Sequence, residues 1–432
     1  MSGAASRRSS RVPTNGRHSW SDRLLRWLHS TSRFGREIDK IVRQFCDTRS
    51  AEVAGDYGSS PNCYQQLVDS LDLPDRPELT AFERVLPGEA SAIRTVARIA
   101  ASTVIKNYSN VRKLHPAAKA MRDQHAKSHA CLRARFVVND NLPAGFETGV
   151  FKPKQTYDAL VRFSNALGTR ESDHRPDGRG MAIKLLNVKG QSILSTLVPD
   201  RPSGQQDFLM TNHPVFFCKG VADYLEFMET TFSPGDTLSA RLPVQARIIG
   251  FFFPWRIRQG ITFSATALHR IKSPLHATYH SMTPYLFGGD KVVRYKATPV
   301  RIPRAVFPAL AQSRPESSLH DTLVAELDPA QHNPGEEEAV FEFSVQVRDA
   351  AKPDDVEDAS RLWKQPRDQT ISLGRIEIPF QSFDRPDQIT TCEDLSFNPW
   401  NSLPEHRPLG GLNRMRLAVY LASMQVRHRL NA

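Results

Sequence analysis

Between Cys131 and Phe380 the chain repeatedly alternates apolar and polar residues over short runs. CLRARFVVND, YDALVRFSNA, GRGMAIKLLN, KVVRYKATP, AVFEFSVQV and LGRIEIPF are β-rich, and turns of Gly, Pro, Asp and Asn separate them. So many short strands in one stretch predict a barrel or a sandwich. Ahead of them the period is helical. Ser21 can cap a helix, and Leu24, Leu25 and Leu28, then Ile38, Ile41, Val42 and Phe45, follow at helical spacing. Helical patterning resumes from Pro61 to about Val111, clearest in PGEASAIRTVARIAASTVI. It interrupts the strands near 215–260 and returns in LNRMRLAVYLASMQVRHRL. The expected organisation is a disordered basic arm and amphipathic helix over 1–55, a helical segment over 56–120, and a barrel with a terminal helix over 121–432. The class is α+β, an antiparallel β-barrel with flanking and terminal helices. A small closed barrel is filled by its own side chains, so a large cofactor would lie against its outside.

Composition changes this picture little. The chain has 432 residues, 40% of them apolar, enough for a large core. Its formal charge is +11, but residues 1–36 alone carry eight Arg against Asp22. That is a charged tail rather than a basic face, and no helix-turn-helix, zinc-finger or RNP pattern accompanies it, so nucleic acid is not an expected partner. The Arg- and Ser-rich start followed by an amphipathic helix also fits a mitochondrial targeting segment, with an N-terminal or partner-binding arm as the plainer reading and the cytoplasm as the default location. The five cysteines are odd in number, scattered and without CxxC, so no disulfide framework or zinc knuckle is expected. The run IIGFFFPW (Ile248–Trp255) is far short of the roughly 20 residues of a membrane helix. It is expected to be buried, with contact to a membrane surface as the other reading.

Candidate chemistry starts at RDQHAKSHACLRARF, where His125 and His129 stand four residues apart. Spacing alone admits a metal pair, a catalytic base with a structural neighbour, or a basic turn running into a strand. No further ligands at metal spacing accompany them. In the last helical run Arg416, Tyr420 and Arg427 fall at i−4, i and i+7 on one face. This is either a solvated surface or a phenolate held beside a guanidinium, an arrangement that favours the ionised phenol.

Taken together, these segments resemble the haem catalases. That family carries R-x-x-H-A-K, here Arg122, His125, Ala126 and Lys127; R-F-S-T, here Arg162, Phe163 and Ser164; and R-G-F-A-V-K, here RGMAIK. It carries N-T-P-V-F-F, here Asn212 in NHPVFF, and R-L-F-S-Y, here RLAVY with Arg427 seven residues on. The matches keep their order over about residues 115–430. The resemblance implies a catalase-like barrel with haem b against it. Tyr420 would bind the iron and Arg416 would stabilise the phenolate. Arg122, Arg162 and Arg427 would pair the propionates, and Tyr224 would stack on the macrocycle. His125 would be the distal acid–base residue, Asn212 a hydrogen-bond donor and Ser164 the group orienting the imidazole. The implied activity is O–O cleavage in hydrogen peroxide or an organic hydroperoxide, with peroxidase-type turnover favoured over dismutation. The alternatives are a fatty-acid hydroperoxide isomerase or lyase and a non-catalytic haem-binding scaffold. Gln124 departs from the family, which has an apolar residue there. The partner is a peroxide, no segment spans a membrane, and an oligomer is compatible with the reading.

Overall fold

The computed structural model describes residues 67–199, 201–232, 241–303, 314–333, 335–348, 351–363 and 370–432. The arm and amphipathic helix expected over 1–55 lie outside the described residues, as do Cys46 and Cys63.

The barrel forms from β1 (Ser128–Val138), β2 (Thr156–Asn165), β3 (Arg179–Leu185), β4 (Gln206–Thr211), β5 (Tyr279–His280), β7 (Lys291–Arg301), β8 (Ala339–Arg348) and β9 (Thr370–Ile378). Each pairs antiparallel with its neighbours, and β5 closes the ring by bonding to both β4 and β7. A three-residue β6 (Tyr285–Phe287) extends the same edge of β7 beyond β5. All six β-rich runs of the sequence are strands.

Alternation explains which side each residue faces. On β1, Ala130, Leu132, Ala134, Phe136 and Val138 are buried, while Arg133 and Arg135 are exposed. The inward set meets a dense aromatic interior, with Phe136 5.0 Å from Phe343 and Phe208 4.9 Å from Tyr295 between ring centroids. The barrel is therefore a packed core. His406 belongs to that core: its Nε2 accepts from the Val150 N–H (3.1 Å), and its ring meets Phe151 edge-on.

Outside the barrel lie α1 (Glu89–Leu114), α2 (Val221–Phe232), α3 (Val244–Phe252), α4 (Ile257–Leu268), α5 (Ser318–Leu327), α6 (Pro386–Asp394) and α7 (Gly411–Asn431). Of the helical pattern expected from Pro61 to about Val111, residues 61–66 lie outside the described residues; 67–69 are helical and most of 70–88 is irregular, interrupted by Pro74, Pro77 and Pro87. In α1, Ala92, Val96, Ile99, Ala100 and Val104 form one buried stripe, whose small residues let the helix pack against α7. Glu89 at its first turn and Arg112 and Lys113 at its last complement the helix dipole. A buried charge cluster locks α7: Arg414 bonds Glu89 (2.7 Å), Glu83 (2.6 Å) and Glu357 (3.2 Å).

One expectation from the cysteines is corrected. Cys131 and Cys392 form a disulfide, with Cα atoms 5.7 Å apart across 261 residues of sequence. Cys131 lies on the outer face of β1, and α6 packs there with Cys392 turned inward. No local spacing could signal a pair so remote. Cys218 is free and buried.

Burial also sets an acid limit to stability. His129 and His406 are almost fully enclosed, and desolvation depresses their pKa from 6.5 to about 4 and about 3. The unfolded chain takes up these protons near pH 6.5, whereas the folded chain refuses them until the lower values. Their contribution to stability is therefore complete above pH 6.5 and drains as pH falls. Urea unfolding at stepped pH should show stability declining between 6.5 and 4. His406→Gln should make that decline shallower by roughly 1.4 kcal/mol per pH unit; an unchanged slope would contradict a neutral His406.

Candidate functional site

From Arg162 onward both faces of β2 are buried. Phe163 faces the barrel core, so alternation turns Arg162 and Ser164 outward, toward the helices. His125 sits over them with a left-handed backbone (φ 55°), tied by its N–H to the Ala166 carbonyl (3.0 Å). Its Nδ1 lies 3.0 Å from Ser164 Oγ, and Arg162 donates to its carbonyl (2.9 Å).

Gly180, the register partner of Ser164 on β3, completes this wall. A Cβ there would lie 2.6 Å from His125 Nδ1 and 2.9 Å from Ser164 Oγ. Only glycine leaves room for the imidazole in this orientation.

Asn212 follows directly on β4. Its side-chain Oδ1 accepts from the Arg179 N–H (2.8 Å), and its own N–H donates to the Arg179 carbonyl (3.0 Å). A backbone N–H can meet only the oxygen end of the amide, so Nδ2 must face away. That Nδ2 is buried without a hydrogen-bond partner. Arg179 is itself braced by Asn165 and by the Asp173 carbonyl (2.8 Å). His129 joins the same network through Asn165 Oδ1 (2.8 Å). His129 is therefore a buried strut, its Nε2 committed to Asn165. Among the described residues no group of three or more His, Cys, Asp or Glu could hold a metal ion.

Burial lowers the pKa of His125 to about 4, with the Arg162 guanidinium, then Arg416 and Arg122, adding to the effect. The imidazole is neutral at physiological pH and free to accept a proton.

On α7, Arg416 and Tyr420 share a face. The Arg416 guanidinium lies 5.4 Å from the Tyr420 ring centroid, and its NH2 donates to the phenol oxygen at 3.5 Å. Thr283 (3.2 Å) and Asn413 (3.1 Å) hold its other arm. Burial opposes the charge of Arg416, yet Tyr420 and Tyr285 raise its pKa on balance. Tyr224 on α2 packs against Phe216, ring centroids 5.7 Å apart. Burial pushes its phenol up, with Asp123, Cys218 and Tyr420 contributing.

The three remaining arginines of the sequence motifs gather into one cluster. Burial lowers the Arg162 pKa well below the ordinary value, and Arg122 and Arg427 repel it further. The segment from Cys392 to Ser396 faces the cluster. Arg122 pairs with Glu393 (3.0 Å), and Arg427 donates to the Leu395 carbonyl (3.1 Å) and Ser396 Oγ (2.9 Å). The Nε atoms of Arg162 and Arg427 remain buried without partners. Arg170 also reaches Glu393 (3.8 Å), so four guanidiniums gather around Glu393, with Asp394 and Asp123 acting on Arg122, and the local excess is positive.

The structure joins His125, Ser164 and Arg162 by direct contacts, and the Arg416 charge acts on the same imidazole; Asn212 follows Thr211, whose register partner Gly180 is also that of Ser164. Sequence reasoning missed Gly180, although its outward place in RGMAIK was readable from alternation. It also missed Glu393, for which no sequence signal existed, and Asp123, a buried carboxyl raised by desolvation beside His125.

No family model matches the sequence, and no curated protein matches it. Solved structures do. Catalase A from Saccharomyces cerevisiae is 16% identical with a TM-score of 0.54, over 84% of this chain and 70% of that one. A bacterial catalase is 15% identical with a TM-score of 0.52, over 85% of this chain and 70% of that one. At this identity the likeness establishes the fold: an antiparallel barrel with the flanking helices of the catalases.

Proposed function

We propose that this catalase-fold chain is a haem enzyme that cleaves the O–O bond of hydrogen peroxide or an organic hydroperoxide, with turnover of the peroxidase type. The observation that carries the reading is the neutral imidazole oriented by Ser164, with the unpartnered Asn212 amide following Thr211, the register partner of Gly180.

The donor set fits haem b. Tyr420 offers a phenol oxygen with a guanidinium beside it, suited to an iron ligand. Arg122, Arg162 and Arg427 offer the positive excess and open Nε donors that two propionates would need. Tyr224 supplies an aromatic face for the macrocycle. When bound, haem supplies the two electrons that O–O cleavage consumes.

The chain's own groups move the proton. With Ser164 accepting from Nδ1–H, His125 Nε2 presents a lone pair and takes the hydroperoxide proton. It returns that proton to the departing oxygen, which leaves as water or an alcohol. Asn212 Nδ2 donates to the oxygen pair and steadies the charge that develops there. Because His125 stays neutral down to about pH 4, the acid limb of activity should fall there rather than near 6.5.

Haem-loaded protein tests this directly, by its absorption spectrum and by hydroperoxide consumption with and without a reductant. His125→Ala should keep the haem and lose about 10²–10⁴ of the rate. Failure of the wild-type chain to take up haem, or full turnover in His125→Ala, would refute the proposal. A second reading, a fatty-acid hydroperoxide isomerase or lyase, draws on Gln124, polar where the resembled motif is apolar. Consumption of such a hydroperoxide independent of reductant would favour it.

A further inference from the structure

The apolar run Ile248–Trp255 is only partly buried, and this corrects the expectation drawn from the sequence. Phe251 and Phe252 face inward, but Ile249 and Phe253 are more than half exposed and Trp255 is 91% exposed. The following helix repeats the division. Gln259, Phe263 and Thr266, at i, i+4 and i+7, face the protein: Gln259 bonds Asp223 (2.9 Å), Phe263 meets Phe217 and Phe252, and Thr266 lies against Gly178. Ile257, Ile261 and Leu268, at i, i+4 and i+11, form the opposite face and are each more than half exposed. Isolated exposed apolar side chains are ordinary, but here six belong to two consecutive helices and the turn between them.

Along this stretch of sequence the charge is one-sided, although Arg256 is paired with Glu226 of α2 (2.5 Å). From Arg241 to Gly289 the sequence has six Lys or Arg and no Asp or Glu. Arg241, Arg258 and Arg270 are exposed, with Arg258 one turn from Ile261. No helix among the described residues is long and apolar enough to cross a membrane.

We propose that the outer face of α3 and α4, with Phe253 and Trp255 at the turn between them, docks onto an anionic lipid bilayer surface. An indole at the turn suits the headgroup boundary, where an apolar ring and a polar N–H are both satisfied. The aliphatic residues enter the acyl layer, and the arginines meet lipid phosphates. A protein partner is the less fitting occupant, because the charge complementarity is to an anionic plane and not to a matched pattern of both signs. The docking does not depend on the chemistry of the haem reading.

The test uses the full chain with vesicles of phosphatidylcholine alone or mixed with phosphatidylglycerol. The fluorescence difference between wild type and Trp255→Phe isolates the emission of Trp255. Without lipid, that emission should be water-exposed and quenched by acrylamide. Mixed vesicles should shift it to the blue and allow quenching by brominated acyl chains, with little change in neutral vesicles. The double variant Phe253→Ser with Ile261→Ser should lose about tenfold or more in vesicle affinity, while its far-ultraviolet circular dichroism stays unchanged. Three results would overturn the proposal. One is Trp255 shielded before lipid is added, which would mean that this chain or a second copy covers it. The second is vesicle binding equal in wild type and double variant, which would assign binding to another basic segment. The third is no response of Trp255 to mixed vesicles.

Discussion

Tyr420→Phe is expected to abolish stable haem retention while leaving the fold intact. The substitution removes one oxygen from a half-buried ring whose nearest hydrogen bond, from Arg416, is long at 3.5 Å. So little is lost that α7 should keep its structure, since its hold on α1 comes from Arg414 and the buried face. The lost oxygen is nevertheless the one expected to ligate iron. Outer-shell partners of metal ligands are worth about 10–100-fold in affinity, so loss of the ligand itself should exceed roughly 100-fold. Haem titration followed by absorbance, alongside circular dichroism and a thermal melt, separates the two effects. A loaded variant with the wild-type spectrum and affinity would rule out ligation by Tyr420.

The second large effect is expected from Gly180→Ala. Its added methyl would stand 2.6 Å from His125 Nδ1 and 2.7 Å from Cε1. The backbone of β3 accepts alanine readily, so the imidazole must move. A shift near 1 Å in a catalytic group can cost on the order of 10²-fold in rate. The variant should therefore keep its haem and most of its stability yet turn over hydroperoxide about 100-fold more slowly, with a displaced acid limb. Turnover close to wild type would show that the Ser164–His125 contact does not position the base.

Where one face of a segment is buried and the other solvated, the sequence was legible. β1 and the second half of β9 carry that signature, and so does the Ala-rich α1, whereas β3, buried at nearly every position, stood out only as a short apolar run between turn residues. QDFLMT was not recognised as β4, because it is short and buried on both faces and so shows no alternation. β5 and β6, with two and three residues, are too short to have a period. The run IIGFFFPW looked uniformly apolar, but a helix can turn only part of such a run inward. For the candidate site, the individual residues stood out through the motifs they share with catalases. Their supports did not: strand register pairs Asn165 with Arg179, and Asp173 reaches both from the loop between β2 and β3. The surroundings of the arginines were hidden for the same reason, since Glu393 and Ser396 reach them from a segment more than 200 residues away from Arg122 or Arg162.

The disulfide gives the candidate site a covalent shortcut. Along the chain His125 and Tyr420 are separated by 295 residues. Through the Cys131–Cys392 bond the path is six residues from His125 to the first sulfur and twenty-eight from the second to Tyr420. The barrel strands from β2 to β9 become a closed ring hanging from that bond, and the two arms that leave it carry the imidazole and the phenol. A local unfolding of the ring can thus proceed without letting the arms drift far apart, whereas a reductant unties them without breaking a single contact of either residue.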